Sequence, residues 1–415
     1  MDPRRARPHS TNPLPLRLLL AGIAALVAWK AATTAAPGLL PGMTAERALA
    51  LDPGNTRAAL AVARGRASAD AQTQAARALL HDALARAPLD GRLLRELAVL
   101  AGIETPQGQA LLQAALRLRP ADVQTRAWLA DSALVRDDMA AAAMHVDAIL
   151  RVAPQRAAQL FPLMQQWLRR DAGLQALVPV FAAAPAWRTG FFAAAPAPPQ
   201  RETLHAMARL LLALRASAAP ADLREGVTVV DRLLHGGEVE RAWLLWLALQ
   251  PPAERSGPLL RNGDFERPGL GSGFDWILRG AGSTASLRRA PQGSQALRVR
   301  FDQRPLQGAS AAQTLLLAPG GYRLEGRLRL EAIERSDQLE WRVDCIAPQP
   351  RALAAAALPA TAADWTGFAL EFRVPPDCSA QRLQLQARGT ALRLAGTAWF
   401  DDFDLRAAAP AKAAP

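Results

Sequence analysis

Few residues in this 415-residue chain have the types and spacing that chemistry needs. The five histidines, His9, His81, His145, His205 and His235, stand far apart, and none lies at a metal-ligand interval from another ligand residue. No Gly-x-Ser-x-Gly turn and no phosphate-binding loop occurs. Acids are plentiful, and glycoside hydrolysis needs two carboxylates facing each other across a cleft. No pattern in the sequence singles out such a pair. Two cysteines remain, Cys345 and Cys378, separated by 33 residues. An even pair closes a bridge in an oxidising compartment, whereas in a reducing one the two are buried free thiols. These residues lead to the expectation of a non-catalytic chain.

Composition narrows the class further. Half of the residues are apolar and 21% are charged, which describes a folding chain of two or three domains. The net charge of +12 suggests nucleic acid until it is divided along the chain. Residues 31–258 carry +4 and residues 259–406 carry +3; the short basic leader 1–17 carries +3, and Lys30 and Lys412 add one each. No folded segment is strongly basic, so nucleic acid is excluded as a partner.

The leader has an export pattern. Arg4, Arg5, Arg7 and Arg17 precede twelve apolar residues from Leu18 to Trp29. Counted from Leu14 to Ala36 the segment has 23 residues, about 35 Å of helix, with Arg17 and Lys30 snorkelling to the two interfaces. The basic flank places the N-terminus in the cytoplasm and the bulk of the chain outside. Thr34-Ala35-Ala36 offers small residues for cleavage, but Pro37 would follow the cut. The expectation is a basic cytoplasmic tail (1–13) and a single-pass signal-anchor (14–36) in a bacterial inner membrane, with a periplasmic body. Export in turn favours the disulfide between Cys345 and Cys378.

From residue 43 to 250 the sequence reads helical, in Ala/Leu/Arg stretches cut by proline. Pro53, Pro88, Pro120 and Pro154 are 35, 32 and 34 residues apart, and each would close a helix because proline cannot continue the ladder. Ala63, Ala98 and Ala130 take matching places, as do Ala110 and Ala142, where paired helices approach closely. The segment 43–250 resembles tetratricopeptide repeats, most clearly over 43–170. The resemblance implies an α-superhelix with a concave face for protein partners of the envelope.

After the linker 251–258 the period changes to two. Leu297, Val299 and Phe301 alternate with polar residues, and so do Tyr322 to Leu330, Leu339 to Cys345, Phe368 to Val374, Leu383 with Leu385, and Leu392 with Leu394. Residues 259–406 therefore read as an antiparallel β-sandwich, with a disordered tail at 407–415. The opening Leu260-Arg261-Asn262-Gly263-Asp264-Phe265-Glu266 and the closing Trp399-Phe400-Asp401-Asp402-Phe403-Asp404-Leu405 resemble the ends of jelly-roll carbohydrate-binding modules of the family 4, 9 and 22 type, in the galactose-binding-like fold. The resemblance implies a structural Ca²⁺ on Glu266 and Asp402, with no cofactor otherwise required. It also implies aromatic rings that stack on pyranose faces, for which Trp365, Trp276 and Trp399 are the candidates. Trp341 and Trp276 are in phase with core residues, which leaves Trp365 as the best exposed ring. The whole reads as α then β: a membrane-anchored envelope protein whose repeats bind proteins and whose jelly roll binds polysaccharide or assembly partners, in the manner of exopolysaccharide assembly or export accessories. The alternative is a carbohydrate-active enzyme, a glycosidase or lyase with an accessory module.

Overall fold

The computed structural model describes residues 24–25, 44–67, 72–255, 257–291, 293–389 and 392–408. The expected cytoplasmic tail and the C-terminal 409–415 lie outside these residues, and so does the expected signal-anchor apart from Ala24-Ala25. Among the described residues no helix is long and apolar enough to cross a membrane. The chain divides into two compact units, Met1–Arg156 and Ala157–Pro415.

The first unit is helical: α1 (Ala45–Leu51), α2 (Thr56–Ala67), α3 (Thr73–Arg86), α4 (Gly91–Ala101), α5 (Pro106–Leu118), α6 (Val123–Val135) and α7 (Met139–Val152). The prolines set its period in two steps. The residue before each of them (Asp52, Ala87, Arg119, Ala153) leaves the helix at φ between −138° and −133°, because the proline ring disfavours the helical region for its predecessor. Two residues after the first three prolines stands Asn55, Asp90 or Asp122, whose carboxylate or amide oxygen accepts from a first-turn amide of the next helix at 3.0–3.1 Å. One short phrase, Pro-x-Asx, thus ends one helix and starts another.

The buried positions repeat on the same count. Counted back from the C-caps, Ala76, Leu80 and Ala83 of α3 correspond to Gly108, Leu112 and Ala115 of α5, and to Ala142, Val146 and Ile149 of α7, and all are buried. The place expected at Ala110 is therefore held by Gly108, and Ala110 is exposed. The reason is steric: a Cβ on Gly108 would stand 2.0 Å from the carbonyl oxygen of Gly102. Ala63, Ala98 and Ala130 are buried as matching residues of α2, α4 and α6.

The second unit combines helices and sheets. Its helices are α8 (Ala157–Trp167), α9 (Asp171–Ala182), α10 (Arg188–Ala193), α11 (Arg201–Leu214), α12 (Leu223–His235) and α13 (Val239–Leu249). Nine strands follow: β1 (Ser283–Arg289), β2 (Gln295–Pro305), β3 (Ala311–Leu315), β4 (Gly320–Glu331), β5 (Leu339–Ala347), β6 (Arg351–Ala357), β7 (Thr366–Val374), β8 (Ala380–Ala387) and β9 (Arg393–Ala407). They form a five-stranded sheet, β1-β2-β9-β4-β7, and a four-stranded sheet, β3-β8-β5-β6, and every pairing is antiparallel. The inward residues of the alternation, Leu297, Val299, Leu328, Trp341, Val343, Leu383, Leu385 and Phe400 among them, make one core between the sheets.

The compact break falls inside the helical part and not at the 251–258 linker, because α12 and α13 are joined to the sandwich. Phe274 inserts its ring against Trp243 and Trp246, with centroids 4.9 and 5.8 Å away. Asp231 of α12 accepts from the amide of Gly273 at 2.7 Å and from the Ser272 hydroxyl. Gly273 has φ +67°, and a Cβ there would meet the Trp246 ring at 2.4 Å. The aromatic residues of α13 seat this loop, which explains their helical spacing.

Candidate functional site

The sequence-derived sugar platform does not assemble. Trp276 is 1% exposed in the sandwich core, where its indole N–H donates to the Asn262 carbonyl at 3.1 Å. Its ring has no free face to offer a ligand, so it is removed from the candidates. Trp399 points outward from β9, yet it is only 6% exposed. The Arg298 guanidinium lies over its ring at 5.6 Å, and Trp365, Ala290 and Ala296 close around it. Trp399 is thereby corrected from a platform to the base of a small surface cluster. Trp365 is half-buried, with Arg327 4.8 Å above its ring.

The expected calcium ligands have other partners. Glu266 Oε1 accepts from the backbone amide of Gln295 at 3.0 Å. Asp402 sits on a β-bulge at φ +53°, and its carboxylate lies 2.8 Å from Arg327 Nε. The Arg327 guanidinium is thus the cationic partner of Asp402. The buried acid of the pair is Asp401, 1% exposed, which accepts from Arg327 Nη2 at 2.8 Å, from Ser294 Oγ at 3.2 Å and from the Asp402 amide at 2.9 Å. Among the described residues no group of three or more His, Cys, Asp or Glu side chains could hold a metal ion. Glu266 and Asp402 do not fit a calcium site here. Alternation gave no means of telling which of the adjacent aspartates a bulge would bury.

The cysteines pair. Cys345 on β5 and Cys378, just before β8, form a disulfide with Cα atoms 5.8 Å apart, and both are buried. The bridge ties the end of the β5–β6 hairpin to the start of β8, the neighbouring strand.

Beside this bridge lies a groove of about 640 Å³ over the outer face of the four-stranded sheet, with α12 as its opposite wall. Six polar residues of the sheet line it: Thr314 on β3, Arg382 and Gln384 on β8, Arg342 and Asp344 on β5, and Arg351 at the start of β6; the first five matter most for its floor. They face outward because they alternate with the buried Leu383, Val343 and Cys345. Register places them in rows, Thr314 beside Arg382 beside Asp344, and Gln384 beside Arg342. Asp344 is the hub. One of its oxygens accepts from Arg342 Nε at 2.5 Å, and the other from Gln384 Nε2 at 2.7 Å. Arg351, at the end of the groove, is hydrogen-bonded to Asp377, which holds that carboxyl below its ordinary value and raises the arginine. On the helical wall Asp231 is engaged with the loop at 272–273, and His235 Nδ1 lies 2.6 Å from the Asp231 carbonyl, which leaves Nε2 free to face outward.

This arrangement presents fixed donors and acceptors at the spacing of neighbouring strands, about 5 Å. It suits a ligand rich in hydroxyls, which exchange hydrogen bonds with amide, guanidinium and carboxylate groups. The sequence showed Arg342 and Asp344 only as the polar half of an alternation. Gln384 likewise stood out only as the polar residue between Leu383 and Leu385, and nothing marked Arg382 or the wall at Asp231, which chain folding brings from about 150 residues away.

No family model and no curated protein matches the sequence. Solved carbohydrate-binding modules are similar to the C-terminal β-sandwich. A family 4 module is 14% identical over 36% of this chain and 99% of its own, with a TM-score of 0.28. A family 61 module in complex with β-1,4-galactotriose is 16% identical over 37% of this chain and all of its own, with a TM-score of 0.26. The first family 22 xylan-binding domain of Xyn10C from Paenibacillus barcinonensis is 18% identical over 35% of this chain and 91% of its own, also at 0.26.

Proposed function

We propose that this chain is a non-catalytic, membrane-anchored envelope protein whose sandwich binds polysaccharide in the groove over the four-stranded sheet. The observation that carries the reading is the row of aligned polar side chains, Thr314, Arg382, Asp344, Gln384 and Arg342, in an open channel walled by α12. The jelly-roll end motifs at 260–266 and 399–405 support it. The groove's two carboxylates, Asp231 and Asp344, already accept hydrogen bonds from neighbouring donors, which suits holding a ligand better than transferring a proton. The leader arginines and the apolar stretch 18–29 support anchoring with the body outside. The repeating helix pairs of the first unit, read as tetratricopeptide-like, would dock protein partners in polysaccharide assembly or export.

The test is a glycan array probed with the full chain, followed by titration of the strongest ligands. Asp344→Ala removes the acceptor that holds Arg342 and Gln384 in place and is expected to weaken binding of neutral glycans about tenfold or more, through lost positioning of those two side chains and not through a lost contact of its own. The sandwich should keep its circular dichroism, since Asp344 faces outward. No binding to any glycan at millimolar concentration, or unchanged affinity in Asp344→Ala, rejects the groove as a sugar site.

A further inference from the structure

The charges around the groove do not balance locally. Arg342 is taken by Asp344, and Arg351 by Asp377. Asp344 has both oxygens occupied, one by Arg342 and one by Gln384. Asp231 is committed to Ser272 and Gly273. Arg382 is left over. It is exposed in the middle of the sheet, between Thr314 and Asp344 in the register, and among the described residues no carboxylate comes within ion-pair distance of it. The acid directly across from it, Asp344, already accepts from Arg342 and Gln384.

We propose that Arg382 is the counter-ion for a carboxylate carried by the ligand, so that the groove selects acidic glycans of the uronate class over neutral ones. This rests on the glycan-binding reading above and specifies its ligand. A guanidinium presents a planar fork of N–H donors that matches a carboxylate in two hydrogen bonds. The neighbouring Gln384, on the same outer face, gives its amide N–H groups to Asp344 and Gln386 and presents its Oε1 as an acceptor for a ring hydroxyl of the same residue or the next. A neutral sugar would leave the cation without a partner at the groove floor. An acidic one supplies the missing acceptor where the protein's own acids are already used.

The experiment compares matched pairs of oligosaccharides, each as the free acid and as its methyl ester: galacturonate, glucuronate and mannuronate oligomers. Esterification removes the charge while conserving the ring and its hydroxyls. Titrated against the full chain, the acid of at least one pair should bind 10- to 100-fold tighter than its ester, the range of one charge-assisted bidentate contact. The preference should shrink when salt is raised from about 50 mM to about 500 mM, because the pair is partly open to solvent. Arg382→Gln should bring acid and ester to parity while ester binding persists, and Arg382→Lys should keep part of the preference. Arg300→Gln, an equal charge change on the outer face of the other sheet, should leave the preference intact. Equal affinity for acid and ester in the wild type, or a preference that survives Arg382→Gln, overturns the assignment and leaves glycan binding standing. Absence of binding to every glycan, neutral or acidic, overturns the underlying reading itself.

Discussion

Phe274→Ala should loosen helices and sandwich together. The side chain is 1% exposed, and its ring meets Trp243 at 4.9 Å and 72° and Trp246 at 5.8 Å and 65°. Burying a phenylalanine contributes about 2–3 kcal/mol, and each edge-on aromatic contact adds about 0.5–1 kcal/mol. The sum, about 4 kcal/mol, lies within the range for truncating a buried phenylalanine. Phe274→Leu keeps most of the volume and should cost about 1 kcal/mol. Hydrogen-exchange mass spectrometry on the full chain reads the effect segment by segment. If α12, α13 and the sandwich form one cooperative unit, the amides of α13 and of β5 and β8 should lose protection by the same free energy. The emission of the two tryptophans should shift to the red as the loop opens. Loss of protection confined to α13, or a change below about 1 kcal/mol in both places, would show that the helices merely rest on the sheet and that the compact unit begins elsewhere.

Further outcomes follow from the same structure. Replacing both Cys345 and Cys378 by alanine opens a loop of 33 residues and should lower the stability of the sandwich by about 4 kcal/mol on the chain-entropy estimate, read as a lower denaturant midpoint. Gly108→Ala drives a methyl group into the Gly102 carbonyl and should cost about 1–3 kcal/mol in the first unit, seen as a lower midpoint of its helical transition. Asp90, hydrogen-bonded by Arg92, has its carboxyl lowered to about 2. Its contribution is therefore complete above about pH 4 and is lost as the pH falls from 4 towards 2. Asp90→Ala should cost about 1 kcal/mol at neutral pH, a figure reduced for solvent screening, and next to nothing at pH 2, as followed by urea melts across the range. Adding calcium or a chelator should leave the melting temperature unchanged, because Glu266 and Asp402 are held by a backbone amide and a guanidinium. A rise of several degrees with calcium would refute that placement.

Much of the architecture was legible because its causes are local. Proline fixes its own backbone and its neighbour's, so the 35, 32 and 34 spacing read directly as helix ends. Strict alternation marked β2, β4, β5 and β7, which have one buried and one wet face. Alternation does not mark β1, β3 and β6, all at sheet edges. Ala311–Leu315 and the alanine-rich Arg351–Ala357 have weak strand propensity and little contrast between faces. The short helix α10 packs in a dense cluster of Phe161, Phe181, Trp187 and Phe191, and its six residues are too few to show a helical period of their own.

The sequence by itself determined the order α then β, the period of the helix pairs, the two faces of the main strands, and the presence of an even cysteine pair. Each depends on residues within a turn or two of one another, or on simple counting. Tertiary structure alone decided that Trp276 is core and Trp399 is covered by Arg298 and Trp365. It also decided that Asp401 and not Asp402 is the buried acid, and that the last two helices belong with the sandwich. It decided the groove too, since Arg382 is left without a counter-ion only once pairing in the sheet has assigned Asp344 to Arg342 and Gln384. Which charges remain free is a property of the folded neighbourhood, set by contacts between residues about 40 to 150 positions apart, and no local pattern encodes it.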